Sequence, residues 1–308
     1  MGQPTHVDYH PSPMQPRIYV LPVPEELQPS TSPFRYPAHS SDWGVEQDFL
    51  AWLERNPSRV TQDAKAADWH YLPVFWTRRH LWHNYGKDGL PDFQSAVKGS
   101  LIDDRRTFTV CQYDDGPLVD LGDTVQALAS RKGDNGVDIP LLCDAPKMPA
   151  RRRKKWKASF IGRVSTHKLR EDLAPLLADR SDILFEDHQS GHDSARAARR
   201  YNRVIARSEI SIAPRGYGGS SFRFFESCAL GTAPLMLTDI DTRPFKSQLP
   251  WETASMFASS ATEAMQAIDT FTPDELELMG QRAAEIYRES LAYGKWCPLL
   301  VNELEPRT

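Results

Sequence analysis

The stretch Glu209-Ile210-Ser211-Ile212-Ala213-Pro214-Arg215-Gly216-Tyr217-Gly218-Gly219-Ser220-Ser221-Phe222-Arg223-Phe224-Phe225-Glu226 sets the reading of the whole chain. Its first six residues read as a short buried strand, and residues 222–230 as a helix that stops at Gly231. Residues 233–237 read as the next strand. Between strand and helix lies a glycine-rich turn, with Arg215 before the glycines and Arg223 and Glu226 behind them. A helix start carries unpaired backbone N–H groups and a partial positive charge, so it holds phosphate well. Glycines let a backbone approach such a ligand where a side chain would stand in the way. The stretch therefore reads as a grip for the diphosphate and ribose of a nucleotide.

Outward from that turn, the second half of the chain alternates strand and helix. Strands are expected at residues 157–161, 182–185, 209–213, 233–237 and 255–258, with helices at 167–178, 194–207 and 222–230. This rhythm implies a parallel sheet with right-handed crossovers. Ligands of such sheets bind at the carboxyl ends of the strands, where the glycine turn lies. Thr272-Pro273-Asp274-Glu275 is a capping box with proline at the first helical position, opening a final helix to about Tyr293. The first half is less regular. It offers strands at residues 17–22, 108–113 and 139–143, and a helix capped by Ser41 or Asp42 that carries Val45, Phe49, Trp52 and Leu53 on one side. Two domains suit 308 residues, a length beyond which single cores stop growing. The expected division is a flexible arm (residues 1–16), an N-terminal Rossmann-like domain (17–150), a C-terminal nucleotide-binding Rossmann-like domain (151–271) and a C-terminal helix packing back on the first domain (272–308).

Composition excludes several classes. A net charge of −4 gives no general attraction to nucleic acid or to an anionic membrane. No apolar run approaches the roughly 20 residues that span a bilayer. Residues 1–16 are rich in Pro and His and lack the apolar core of a signal peptide. Myristoylation at Gly2 needs Ser or Thr at the position held by His6. The expectation is a cytoplasmic protein, or the soluble catalytic piece of a membrane-anchored one. Cys111, Cys143, Cys228 and Cys297 lack zinc-ligand spacing and read as buried free thiols. The basic run Arg151-Arg152-Arg153-Lys154-Lys155 reads as a solvated linker at the domain boundary, with contact to an anionic acceptor or membrane surface as the alternative.

On a helical wheel, Arg223, Glu226 and Ser227 share one side of the helix after the turn, opposite Phe222, Phe224, Phe225, Cys228 and Ala229. A carboxylate accepts two ribose hydroxyls, and guanidinium groups bond phosphate in bidentate fashion. The plain alternative is an i, i+3 ion pair beside a capping loop. The turn is neither a Walker loop, which needs Gly-Lys-Ser/Thr, nor the dinucleotide fingerprint, which follows the first strand of its domain. That first turn is instead Gly162-Arg163-Val164-Ser165-Thr166-His167, where Arg163 either reaches the same phosphates or stays on the surface. Asp239-Ile240-Asp241 matches the Asp-x-Asp pair of metal-dependent transferases literally, but it follows a strand end where aspartates cap turns, so no metal is expected. His188 and His192 have helical metal-pair spacing, yet Ser190-Gly191 between them indicates a loop.

Together these residues resemble a known family. Residues 208–226, with Pro214-Arg215-Gly216, Ser221-Phe222-Arg223 and Glu226, then Gly231 to Pro234 and Arg243-Pro244-Phe245, are similar to the donor-binding signature of exostosin-like glycosyltransferases. The first half, from Arg17 through the helix at 46–53 to residues 61–73, is similar more loosely. The resemblance implies an α/β, GT-B-like fold, two Rossmann-like domains facing each other across a cleft. It also implies a UDP-sugar donor, inversion at the anomeric carbon, and a saccharide or other hydroxyl-bearing acceptor gripped by the first domain. Carried over, Glu226 binds ribose, Arg215 and Arg223 face the diphosphate, and Ser220 and Ser221 offer it hydroxyl and backbone N–H donors, from a turn in which Gly218 and Gly219 leave room for the ligand. No cofactor is implied beyond the nucleotide-sugar, with UDP as product.

An inverting transfer needs a general base. Asp42, Asp114, Asp115, His80 and His83 are candidates, and Asp115 is the expected one, since Asp115-Gly116 resembles an acidic-glycine turn of some family members. Ordinary turn chemistry is its other reading. Trp76, Trp82 and Tyr85 offer faces on which an acceptor sugar can stack. The rival readings are a catalytically silent partner of an active transferase and, on similar sheets, a nicotinamide-dependent oxidoreductase that the missing fingerprint disfavours.

Overall fold

Each half of the chain builds one parallel sheet. The computed structural model describes residues 16–29, 44–142, 145–146, 153–188 and 195–304. In the first half, β1 (Ile18–Val20), α1 (Val45–Arg55), β2 (Trp69–Tyr71), α2 (Trp76–Trp82), α3 (Leu90–Ser100), β3 (Thr107–Cys111), β4 (Val125–Leu128) and β5 (Val137–Asp138) follow in order. The five strands pair in sequence order, all parallel. In the second half come β6 (Trp156–Gly162), α4 (Lys168–Ala178), β7 (Ile183–Asp187), α5 (Ala195–Ala206), β8 (Ser208–Pro214), α6 (Phe222–Ala229), β9 (Ala233–Leu237), α7 (Trp251–Ala254), β10 (Met256–Ala258), α8 (Ala261–Thr270), α9 (Pro273–Ile286) and α10 (Cys297–Glu303). Their sheet has the order β10-β9-β8-β6-β7, again all parallel. The architecture is α/β and GT-B-like.

The first half departs from the sequence reading most. The strand expected at 139–143 is the two-residue β5 just before it, and β2, β4, α2 and α3 fall outside the sequence reading, as do α7, α8 and α10 in the second half. β4 reads Val-Gln-Ala-Leu, with one β-branched residue, so its strand state comes from pairing to β3 rather than from propensity. The helix expected to reach Tyr293 is α9, carried through a π-helical turn at Tyr287–Leu291 and broken before Gly294, whose φ is +74°. Its capping box forms, with Thr272 and Glu275 bonded reciprocally. Cys111, Cys228 and Cys297 are buried free thiols. The end of the basic run is not simply solvated: Lys154 Nζ donates to the carbonyls of Ala206 and Ser208, and Lys155 lies 4.8 Å from the Trp156 ring. Residues 1–15, Ser41, Asp42, Cys143, Arg151, Arg152 and His192 lie outside the described residues.

One core joins the halves. Ile18, Phe49, Trp69 and Phe108 of the first sheet layer are continuous with Trp296 and Leu300 near the C-terminus and with Phe224, Phe225 and Cys228 of α6. Asp48 on α1 accepts the Gly294 N–H at 2.7 Å and the Trp296 indole N–H at 2.8 Å, and Trp296 packs 5.7 Å from Phe49. The C-terminal segment thus fastens the first domain to the helix that follows the glycine turn. Gly231 ends α6 with φ of +65°, and Gly280 of α9 lies so close to the Gly231 carbonyl that a Cβ has no room there.

Glu46, in the first turn of α1, ties the first domain's elements together. Its carboxylate accepts from the Thr77 N–H and hydroxyl at the start of α2 and from the Gln112 N–H at 2.9 Å, just past β3. Burial pushes its pKa up to about 7 from 4.5, against the pull of those donors. A carboxyl with a raised folded pKa adds stability that is complete below its unfolded value and is lost as pH rises through the folded value. Between roughly pH 5 and pH 8 the wild-type protein should therefore lose about 3 kcal/mol more stability than Glu46→Gln. Parallel urea-melt stabilities for the two proteins across that range would contradict this.

Candidate active site

The strand order reverses between β6 and β8, and a parallel sheet opens a crevice beyond the carboxyl ends at such a switch point. Gly162 and Arg163 leave β6 there, and Arg215 leaves β8. Three arginines converge on this crevice. Arg215 donates through Nε to the Gly218 carbonyl at 3.1 Å and pairs through Nη1 with Asp239. Arg223, in the first turn of α6, reaches the Ile161 carbonyl and lies 4.7 Å from the Phe160 ring and 5.3 Å from the Tyr201 ring. Arg170 of α4 donates to the carbonyls of Arg215, Pro214 and Arg163 at 2.7, 2.8 and 3.0 Å, and sits 5.6 Å from the same Phe160 ring.

All three are buried. Arg170 and Arg223 meet carbonyls and rings rather than carboxylate ion pairs among the described residues. Burial, with the charge of Arg223, pulls the Arg170 pKa down to about 9. Buried cations without a counter-charge are costly, and an entering anion removes that cost.

Glu226, one turn beyond Arg223, is buried, and its Oε2 accepts the Tyr201 hydroxyl at 2.9 Å. Burial pushes the Tyr201 phenol well above its usual range. The Ser220 hydroxyl is buried without a hydrogen-bond partner, and Ser221 stands at the N-cap of α6 with no capping bond from its side chain. α6 is buried on both the faces that the helical wheel separates, its polar side against α5 and its apolar side in the shared core. Arg163 is exposed at the rim.

Gly218 and Gly219 play a part that the sequence did not suggest. A Cβ on Gly219 would run into the Arg131 carbonyl, and one on Gly218 into the Ser130 hydroxyl and the Asp114 carboxylate. Gly219 N–H donates to the Ser130 carbonyl at 3.1 Å, and the Ser220 N–H to Ser130 Oγ at 3.4 Å. The close approach that these glycines permit is between the two domains, not only toward a ligand. Neither has a positive φ, so the need for glycine here is spatial.

Across the cleft, Asp114 and Asp115 diverge. Asp115 is exposed and pairs with Lys132. Asp114 is half-buried and hydrogen-bonded to Ser130; burial raises its pKa, against the pull of that bond and of Lys132 and Arg215. His80 is a core histidine, bonded to the Pro117 carbonyl at 2.9 Å and held neutral, since burial drops its pKa to about 4. His83 bonds the Arg79 carbonyl, and Trp82 and Tyr85 are exposed. Of the Asp-x-Asp pair, Asp239 takes Arg215, and Asp241 takes both arms of Arg243 at 3.0 and 2.7 Å. Among the described residues no cluster of His, Cys, Asp and Glu is arranged to hold a metal ion. His188 pairs with Glu186.

Arg170, Phe160, Tyr201 and Ser130 escaped sequence reasoning. Arg170 left one legible signal: a basic residue in the first turn of a helix opposes the macrodipole and asks for a reason. A cavity of about 620 Å³ lies elsewhere, at the amino ends of β2, β4 and β5 beside Leu304, and none of the crevice residues lines it.

Fold and crevice together define a two-domain parallel α/β protein with buried arginines at its switch point. The Exostosin GT47 domain model matches residues 78–269, more than half of the chain. The protein belongs to that family of glycosyltransferases. No protein of curated function matches the sequence. Among solved structures it is similar to sucrose-phosphate synthase from Thermosynechococcus elongatus (13% identity, 83% of this chain and 69% of that one, TM-score 0.38). It is similar too to S. aureus TarM (9%, 83% and 57%, 0.37) and to spinosyn rhamnosyltransferase SpnG (13%, 84% and 78%, 0.35). The chain spans little more than half the length of TarM. At such identities these likenesses say nothing of substrate.

Because Gly219 has no room for a Cβ, Gly219→Ala should force the two domains apart. The expected cost is about 1–3 kcal/mol in thermal unfolding, with a larger radius of gyration in small-angle scattering. An unchanged melting temperature and radius would show that the contact does not hold the cleft.

Proposed function

We propose that this protein transfers a sugar from a nucleotide-linked donor of the UDP type, with inversion, to a hydroxyl group of a saccharide or similar acceptor. The observation that carries the reading is the buried, incompletely neutralised set Arg170, Arg215 and Arg223 at the switch point between β6 and β8. A diphosphate is the anion whose size and charge suit three guanidinium groups and a helix start. When the bond to the sugar breaks, negative charge grows on the departing diphosphate, and fixed cations stabilise it without reorganising.

In this reading Arg215 and Arg223 face the diphosphate, with Arg163 at the rim. The Ser220 hydroxyl turns to a phosphate oxygen, and the turn from Gly218 to Ser221 supplies backbone N–H groups. Glu226, oriented by Tyr201, accepts the ribose hydroxyls. The leaving-group charge is offset by arginines rather than by a metal. Support comes from the Asp239 and Asp241 carboxylates, both already engaged by Arg215 and Arg243.

UDP at a hundred times its dissociation constant should stabilise the protein by about 2.7 kcal/mol, a rise of a few degrees in melting temperature. Arg223→Ala and Glu226→Ala should each abolish the rise measured against their own unliganded melting temperatures. The same shift should persist in excess chelator. If neither UDP nor any other nucleoside diphosphate moves the wild-type melting temperature at millimolar concentration, the donor assignment fails.

A further inference from the structure

A carboxylate of the first domain lies against the donor turn, and it is not the one that the sequence singled out. Asp114 follows β3 at its carboxyl end, and its Oδ1 lies against Gly218 of the opposite domain. Ser130 Oγ accepts the Ser220 N–H from the donor turn at 3.4 Å, meets Gly218 at the same place as the Asp114 carboxylate, and pulls the pKa of that carboxylate down. A short relay therefore crosses the cleft, from the backbone of the donor turn through Ser130 to Asp114. Asp115, the next residue, is exposed and paired with Lys132, and His80 is buried behind Tyr113, whose ring lies 4.9 Å away.

We propose that Asp114 is the general base of the transfer and that Ser130 positions it. This rests on the glycosyl-transfer reading above. Half-burial leaves Asp114 open to an acceptor hydroxyl while raising its basicity. In the step, the acceptor hydroxyl gives its proton to the Asp114 carboxylate as its oxygen bonds to the anomeric carbon. The bond from that carbon to the donor's phosphate oxygen breaks, and its electron pair stays on the diphosphate, facing Arg215 and Arg223. Asp114 later returns the proton to water. The charges that face Asp114 are Asp115, which raises its pKa, and Lys132 and Arg215, which lower it.

The relay also explains why the base resides beside the domain contact rather than on an open loop. Ser130 accepts from the donor turn through both its carbonyl and its hydroxyl, so the seating of that turn against Arg131 holds Ser130 beside Asp114.

The test uses the full chain, a panel of UDP-glucose, UDP-galactose, UDP-xylose and UDP-glucuronate, and release of UDP as the readout. Asp114→Asn should lower turnover by about a hundredfold or more while keeping the melting-temperature rise with UDP. Ser130→Ala removes a bond that lowers the Asp114 pKa, so the acid limb of its pH–rate profile should move to higher pH. A merely structural serine would lower turnover without moving that limb. Wild-type turnover in Asp114→Asn, or its loss in Asp115→Asn alone, would overturn the proposal. So would an unmoved limb in Ser130→Ala, which decides the matter even if Asp114→Asn does not fold. Absence of any UDP response in the wild-type protein strikes the donor reading instead, and the two failures are told apart.

Discussion

Buried positive charge is the constraint around which the second domain is arranged. Arg170 and Arg223 sit on either side of the switch point, share the Phe160 ring and satisfy their donors with main-chain carbonyls. Carbonyl oxygens complete the hydrogen bonding but do not cancel the charge. Burial, with the charge of Arg223, accordingly lowers the Arg170 pKa. A site of this kind is stable enough to fold because carbonyls and rings absorb part of the cost, and selective because an anion removes the rest.

The same turn serves two purposes. Its arginines and serines line the crevice, while its glycines press against residues 130 and 131 of the other domain. The contact is backed by one apolar core that runs from the first sheet through Trp296 to α6. The helix that begins the proposed donor site is therefore part of the structure that joins the two domains. In a transferase, donor and acceptor must meet within a few tenths of an ångström of the productive geometry, and such coupling supplies it.

The second domain was legible in the sequence because its strands are short apolar runs punctuated by Gly and Pro, and each foreseen strand lies within a residue or two of β6 to β10. Arg215, Ser220, Ser221, Arg223 and Glu226 fall within the single segment 215–226, so the turn could be read locally. The first domain was legible only at β1, α1 and β3. β4 owes its state to its neighbours, and α2 lies in a stretch whose aromatic residues suggested a stacking surface rather than a helix. The partners that finish the site come from distant segments: Tyr201 from α5, Phe160 from β6 and Ser130 from beyond β4. Only the three-dimensional packing brings them to Glu226, Arg223 and Gly219. The choice between Asp114 and Asp115 is of the same kind, since neighbours in sequence face different partners.

The central claim is that the crevice recognises a diphosphate through charge. Isothermal titration of the wild-type protein with uridine, UMP and UDP tests it most directly. The account predicts that affinity climbs with each phosphate, with UDP binding about a hundredfold or more tighter than uridine, a difference of about 2.7 kcal/mol that weakens as salt is raised. Equal affinity for uridine and UDP, insensitive to salt, would contradict it.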